Sequence, residues 1–308
     1  MRRYPSKILL FGEYILLLGQ RALATPVPAF SGWWAHSAVG EPAPRADALL
    51  AFARSAALAA LDALDTGRFA KEVAAGLFFE SNIPVGYGLG SSGALCAGVY
   101  DRYAVRKSPE ANVLQAIFSG MESYFHGKSS GIDPLTSYLN RPLWINNRQE
   151  VVFFQAPVWT GAAPVVFLLD TKAPRQTGPL VAWFLDQSEH PAFAGRLESD
   201  YYPAHQTLLN AWETGDDPVF WQALHQVSLF QLMHFQPMIP GHLRGIWSGC
   251  LSGGQAFLKI CGAGGGGYML GFAKNKAAVQ AYLGNYEVVF FRNRPGYPRQ
   301  WQAVVLPD

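Results

Sequence analysis

The stretch Pro84-Val85-Gly86-Tyr87-Gly88-Leu89-Gly90-Ser91-Ser92-Gly93-Ala94 makes the strictest local demand on this chain. Alternating glycines run into two serines and then into an apolar segment with helical character, 94–106. Glycine accepts positive φ and lets a ligand approach the backbone closely. A helix start leaves N–H groups without partners, and the helix dipole favours an anion there. The pattern suits a phosphate cradle, and an ordinary strand-to-helix turn with Ser91 as N-cap fits the same local chemistry. No Lys follows the last glycine, so the loop is not a Walker A motif. Gly86-Tyr87-Gly88-Leu89-Gly90 also closes one residue too soon for a Rossmann turn.

The chain has 308 residues, enough for one large domain or two, with two the better expectation. Half of it is hydrophobic and only 15% is charged, so a large core is available and an ordered chain is expected. The net charge is +2 and no run of Lys or Arg occurs, which argues against a nucleic-acid partner while leaving room for a small anion. Cys96, Cys250 and Cys261 have no CxxC spacing and read as reduced, buried cysteines of a cytoplasmic protein. Met1-Arg2-Arg3 opens like a signal peptide, but Lys7, Gly12 and Glu13 interrupt the apolar run that would follow. No apolar stretch has bilayer length, so no membrane partner is expected.

Along the chain, 8–11 and 15–18 read as two strands around Gly12-Glu13-Tyr14, with Lys7 heading the first. Glu13 is a charge between buried-looking runs, so it and Lys7 each need a partner or a cleft. Residues 46–64 read as a helix capped by Asp47, and 78–83 as a strand leading into the glycine loop. Ser108-Pro109 supplies a cap and a first-turn proline for a helix over 110–124. Asn146-Asn147 signals a hairpin within 143–154. The Pro- and Gly-rich composition of 156–163 sets a boundary between domains 1–160 and 161–308. In the second domain, 165–169 reads as a buried strand, 203–251 as mostly helix, and 257–260 and 268–272 as strands.

Three further stretches carry chemistry. Glu122-Ser123-Tyr124-Phe125-His126-Gly127-Lys128-Ser129-Ser130-Gly131-Ile132-Asp133 puts two carboxylates on either side of a polar turn, where they could serve as a Mg²⁺ ligand and a positioned base. A turn with Asp133 as a helix cap before Pro134 fits equally, and His126 reads as a structural histidine. Thr171-Lys172-Ala173-Pro174-Arg175-Gln176-Thr177 is a polar loop after a strand, with Arg175 suited to a carboxylate. Cys261-Gly262-Ala263-Gly264-Gly265-Gly266-Gly267 lies between strands, which implies close backbone approach to a ligand or another loop.

Lys7 to Gly19, the loop at 84–94 and the glycine run at 262–267 resemble, in order and spacing, the three motifs of the GHMP kinase superfamily. Within it the chain looks most like the mevalonate kinase family. The likeness includes the eleven-residue step from Glu122 to Asp133 and the 171–177 segment, and it runs from about residue 7 to 272. The resemblance implies an α+β, two-domain GHMP kinase fold, with an N-terminal ribosomal-S5-domain-2-like half and a C-terminal ferredoxin-like half. It implies ATP and Mg²⁺ as cofactors, with the site between the halves. Pro84, Gly86, Gly88, Leu89, Gly90, Ser91, Ser92 and Gly93 would surround the ATP phosphates, and Ser92 and Glu122 would hold Mg²⁺. Asp133 would take the proton of the substrate hydroxyl, or only orient that hydroxyl, with Lys7 beside it stabilising the transferred group. Glu13, Tyr14, Arg175, Thr177, Gly264 and Gly265 would face a small hydroxy acid. A homodimer is compatible with the resemblance.

Tyr14 replaces the family's usual His, Gly93 its usual Ala, and Leu95 a Tyr of animal-type mevalonate kinases. These departures leave the phosphate machinery intact and bear on the acceptor. The leading expectation is phosphorylation of the 5-hydroxyl of mevalonate. The alternatives are a kinase for phosphomevalonate or a sugar, a decarboxylase of the same superfamily, and an inactive sensor on the same fold.

Overall fold

The computed structural model describes residues 2–38, 41, 43–146, 150–175, 177–293 and 301–305, without the side chains of Thr177, 292–293 and 301–305. Two five-stranded antiparallel sheets organise the chain. The first contains β1 (Tyr4–Phe11), β2 (Ala22–His36), β3 (Leu77–Ser81), β4 (Leu143–Asn146) and β5 (Glu150–Phe153), in the order β1-β2-β4-β5 with β3 also paired to β2. The second contains β6 (Val165–Asp170), β7 (Ala256–Lys259), β8 (Tyr268–Ala273), β9 (Val288–Asn293) and β10 (Trp301–Val305), in the order β10-β9-β6-β8-β7.

Helices α1 (Ala46–Ala53), α2 (Ala56–Ala59), α3 (Thr66–Ala74), α4 (Ser91–Tyr103), α5 (Ala111–His126) and α6 (Ile132–Leu139) accompany the first sheet. Helices α7 (Thr177–Glu189), α8 (Pro191–Arg196), α9 (Tyr202–Thr214), α10 (Asp217–His234) and α11 (Arg244–Gly253) fall between β6 and β7, and α12 (Lys276–Leu283) between β8 and β9. The spatial order β9-β6-β8-β7 with helices in those two connections is the split βαβ of a ferredoxin-like unit, extended by β10. The fold is α+β, as the family resemblance implies.

Local chemistry explains where elements depart from expectation. Ile15–Leu18 is a 3₁₀ turn rather than a second strand, and β1 pairs with β2 instead. Tyr14 takes φ 65°, and the Leu16 N–H donates to the Gly12 carbonyl at 3.0 Å, curling the chain before it can extend. Four apolar residues in a row do not by themselves separate strand from helix. The helix expected over 46–64 breaks after Ala53, because Ser55 turns outward to cap α2 by accepting the Leu58 N–H at 3.3 Å. Arg45, not Asp47, sits at the N-cap position of α1. Glu110 is the N-cap residue of α5, while the Ser108 hydroxyl accepts the Glu110 N–H, so Pro109 precedes the helix. Asn147 of the expected hairpin lies outside the described residues, and the strands it would join, β4 and β5, pair as expected.

The core runs continuously between the halves. Phe11 of β1 stacks on Phe272 of β8 with ring centroids 5.5 Å apart and meets Trp212 of α9 edge-on at 5.3 Å. Edge strand β7 is covered by α10: Ser228 donates to the Leu258 carbonyl at 2.6 Å, and Gln231 accepts the Ile260 N–H at 2.8 Å.

Candidate active site

Strand β3 delivers the chain to the glycine loop, which is tied to β1 where the Lys7 N–H donates to the Leu89 carbonyl at 2.9 Å. Gly90 is the N-cap of α4 with φ 71°, so Ser91 takes the first helical position and does not cap. The Ala94 N–H is the first to return into the helix, reaching the Gly90 carbonyl at 3.0 Å. The N–H groups of Ser91, Ser92 and Gly93 precede it and have no helical acceptor. Pro84, Gly86, Gly88, Leu89, Gly90, Ser91 and Ser92 all line one cavity of about 520 Å³. Gly93 is buried behind that lining, against the start of α6.

Helices α5 and α6 bring the acidic pair to the same cavity. Asp133, in the first turn of α6, forms an ion pair with Lys7, and both line the cavity. Glu122 is buried on α5. Its Oε1 accepts from Ser92 Oγ at 3.1 Å and its Oε2 from Ser129 Oγ. Burial, and then the charge of Asp133, push the Glu122 carboxyl up to about 7. His126 Nε2 stands 3.0 Å from Ser92 Oγ and also lines the cavity, so its place is beside Ser92 rather than in the core. Ser92 and Glu122 together offer hard oxygen donors, which suit Mg²⁺. No group of three or more His, Cys, Asp or Glu with metal-ligand geometry occurs among the described residues. That sparse set fits an ion that draws its remaining ligands from water and phosphate oxygens.

The opposite wall is built from both halves. Glu13 is 1% exposed, and its Oε1 accepts from Lys259 Nζ of β7 at 2.6 Å, with Lys259 also 1% exposed. Burial raises the Glu13 carboxyl above its ordinary range, and Lys259 opposes that rise. Lys259 is absent from the residues the sequence motifs point to, although a lysine inside Ala256-Phe257-Leu258-Lys259-Ile260 is a buried charge in need of a partner. The Tyr14 hydroxyl donates to the Ala263 carbonyl at 2.5 Å, and its ring packs on Phe184 with centroids 4.9 Å apart.

Arg175 lines the cavity and lies between the two glycine segments. Its guanidinium occupies the place a Cβ on Gly88 would take, with only 1.0 Å separating that Cβ from Nη1. A Cβ on Gly262 would lie 2.8 Å from its Nη2. Arg175 Nε is buried with no hydrogen-bond partner, and no ion pair to Arg175 is found among the described residues. An anion entering the cavity would meet an uncompensated guanidinium. Gly264 and Gly265 do not line the cavity. The Gly265 N–H donates to the Met238 carbonyl at 2.6 Å, and Cys261, Gly262 and Ala263 form the wall in their place. Gln176 and the side chain of Thr177 lie outside the described residues.

Residues 51–141, which include the glycine loop, Glu122 and Asp133, match the model of the GHMP kinases N terminal domain. Solved structures extend the likeness to almost the whole chain. The L. major mevalonate kinase in complex with R-mevalonate is 17% identical with a TM-score of 0.64, over 92% of this chain and 90% of that one. The chain has the GHMP kinase fold. The same GHMP kinase fold superposes on Streptococcus pneumoniae phosphomevalonate kinase in complex with phosphomevalonate and AMPPNP at 16% identity and TM-score 0.61, covering 91% and 94%. It also superposes on Lactococcus lactis galactokinase complexed with galactose at 13% identity and TM-score 0.61, covering 99% and 94%. No curated protein matches the sequence. No helix among the described residues is long and apolar enough to cross a membrane.

Proposed function

We propose that this chain is an ATP-dependent kinase for a small alcohol, and that the acceptor is the 5-hydroxyl of mevalonate. The observation that carries the reading is the convergence of the Lys7–Asp133 pair, the free first-turn amides of α4 and the Ser92–Glu122 pair on one cavity. Phosphoryl transfer asks for positioning and charge neutralisation rather than covalent chemistry, and these groups supply both.

In this reading the α4 amides hold the phosphates of ATP, and Ser92 and Glu122 hold Mg²⁺, which neutralises charge on the phosphate oxygens when bound. The acceptor hydroxyl sits at Asp133 Oδ, which receives its proton as the oxygen attacks the γ-phosphorus of ATP in line, while the bond to the bridging oxygen breaks and ADP leaves. Lys7 stabilises the oxygens of the group in transit. Arg175 takes the acceptor's carboxylate. The mevalonate and phosphomevalonate kinases, one solved with R-mevalonate and one with phosphomevalonate and AMPPNP, support this class of acceptor. The uncompensated Arg175 favours an acid over an uncharged sugar.

ADP release with MgATP and a panel of R-mevalonate, phosphomevalonate and galactose tests the reading. Turnover with R-mevalonate is the expected result, and turnover with galactose alone would overturn the acceptor. Asp133→Asn is expected to lower kcat by at least about a hundredfold while ATP still binds, a loss near 2.7 kcal/mol.

A further inference from the structure

The Glu13–Lys259 pair stands apart from the rest of the cavity. Exposed ion pairs contribute little, but this one is sealed, and each partner comes from a different sheet region of the fold. Lys259 Nζ spends a second N–H on the Ile260 carbonyl at 2.9 Å, so its position is fixed from its own strand. Glu13 gives one oxygen to Lys259. Its other, Oε2, is buried with no hydrogen-bond partner, although Glu13 belongs to the cavity lining. A buried carboxylate oxygen without a donor is costly. Replacing a buried pair by apolar side chains is often neutral or stabilising, so stability alone does not explain it. The same short segment is fastened a second time by the hydrogen bond from the Tyr14 hydroxyl to the Ala263 carbonyl.

We propose that Lys259 is a positioning residue: it holds Glu13 so that the unpartnered oxygen accepts a hydroxyl of the acceptor other than the one phosphorylated. In this arrangement Arg175 takes the acceptor's carboxylate, Asp133 one hydroxyl and Glu13 a second. This inference rests on the kinase reading above. Lys259 itself does not touch the acceptor and acts through Glu13.

The test compares wild type, Lys259→Met, Glu13→Gln and the double variant by melting temperature, KM for ATP, KM for R-mevalonate and kcat. Lys259→Met is expected to lower the melting temperature and to raise the acceptor KM by at least about tenfold, the loss of one charge-assisted hydrogen bond. KM for ATP should stay unchanged. The double variant removes both charges and is expected to recover the melting temperature while the acceptor KM stays high, which a merely structural pair would not do. Recovery of both in the double variant would overturn the proposal, as would an unchanged acceptor KM in Lys259→Met. Wild type that turns over no alcohol in the panel would overturn the kinase reading, and this inference with it.

Discussion

A Cβ on Gly93 would lie 2.9 Å from the carbonyl carbon of Asp133 and 2.9 Å from the nitrogen of Pro134. Helix α4 can therefore press directly on the backbone that carries the Asp133 carboxylate. Gly93→Ala is expected to push the start of α6 outward and lower kcat by about tenfold or more. The gain of roughly 1 kcal/mol in helix propensity offsets much of the overpacking, so the melting temperature should move far less than the rate. Steady-state kinetics beside a thermal melt checks both halves. At this scale the sequence was partly legible. Lys7, Glu122 and Asp133 stood out because a charge beside apolar runs or a glycine turn is conspicuous. His126 reads as structural from the sequence because nothing local places it against Ser92, 34 residues earlier. Glu13 was recognisable as a charge needing a partner, but Lys259 lies 246 residues away and only the fold pairs them.

Among the elements, the edge strand β7 shows how a site wall is kept in place. Its outer backbone groups are met by Ser228 and Gln231 of α10, and Ser228 Oγ also accepts from Trp247 Nε1 at 2.9 Å. Ser228→Ala would strand the Leu258 carbonyl and the Trp247 indole N–H together in a dry core. A loss of about 2 kcal/mol of unfolding free energy is expected, readable in urea titrations. Helices with proline in the first turn, such as α9 and α10, were readable because proline there is pre-set for the helix and sacrifices no hydrogen bond. The turn at Ile15–Leu18 was not, since its form depends on the positive φ of Tyr14, which its hydrogen bond to Ala263 helps hold. The broken helix of 46–64 turned on one serine whose side chain preferred the backbone of α2.

Across the whole molecule, His205 of α9 joins the second half to the first. Its Nε2 lies 2.9 Å from the Arg21 carbonyl, just ahead of β2, so the neutral ring must carry its proton there. Burial pushes this histidine down to about 4 from an ordinary 6.5. The unfolded chain then binds a proton that the folded chain refuses. The full stability is present above pH 6.5 and falls as pH drops from there towards 4. Unfolding free energy is expected to fall by about 2 kcal/mol more in wild type than in His205→Gln between pH 7 and pH 5. Urea unfolding at the two pH values measures the difference, and equal losses would contradict it.

Arg175 lies over Gly88 of the glycine loop and against Gly262 of the second half at once. A nucleotide that shifts the loop at Gly88 must move the guanidinium that an acid acceptor would use. The two ligands would then report to each other through a single side chain. Whatever factor a bound nucleotide applied to acceptor affinity, the acceptor would return to the nucleotide.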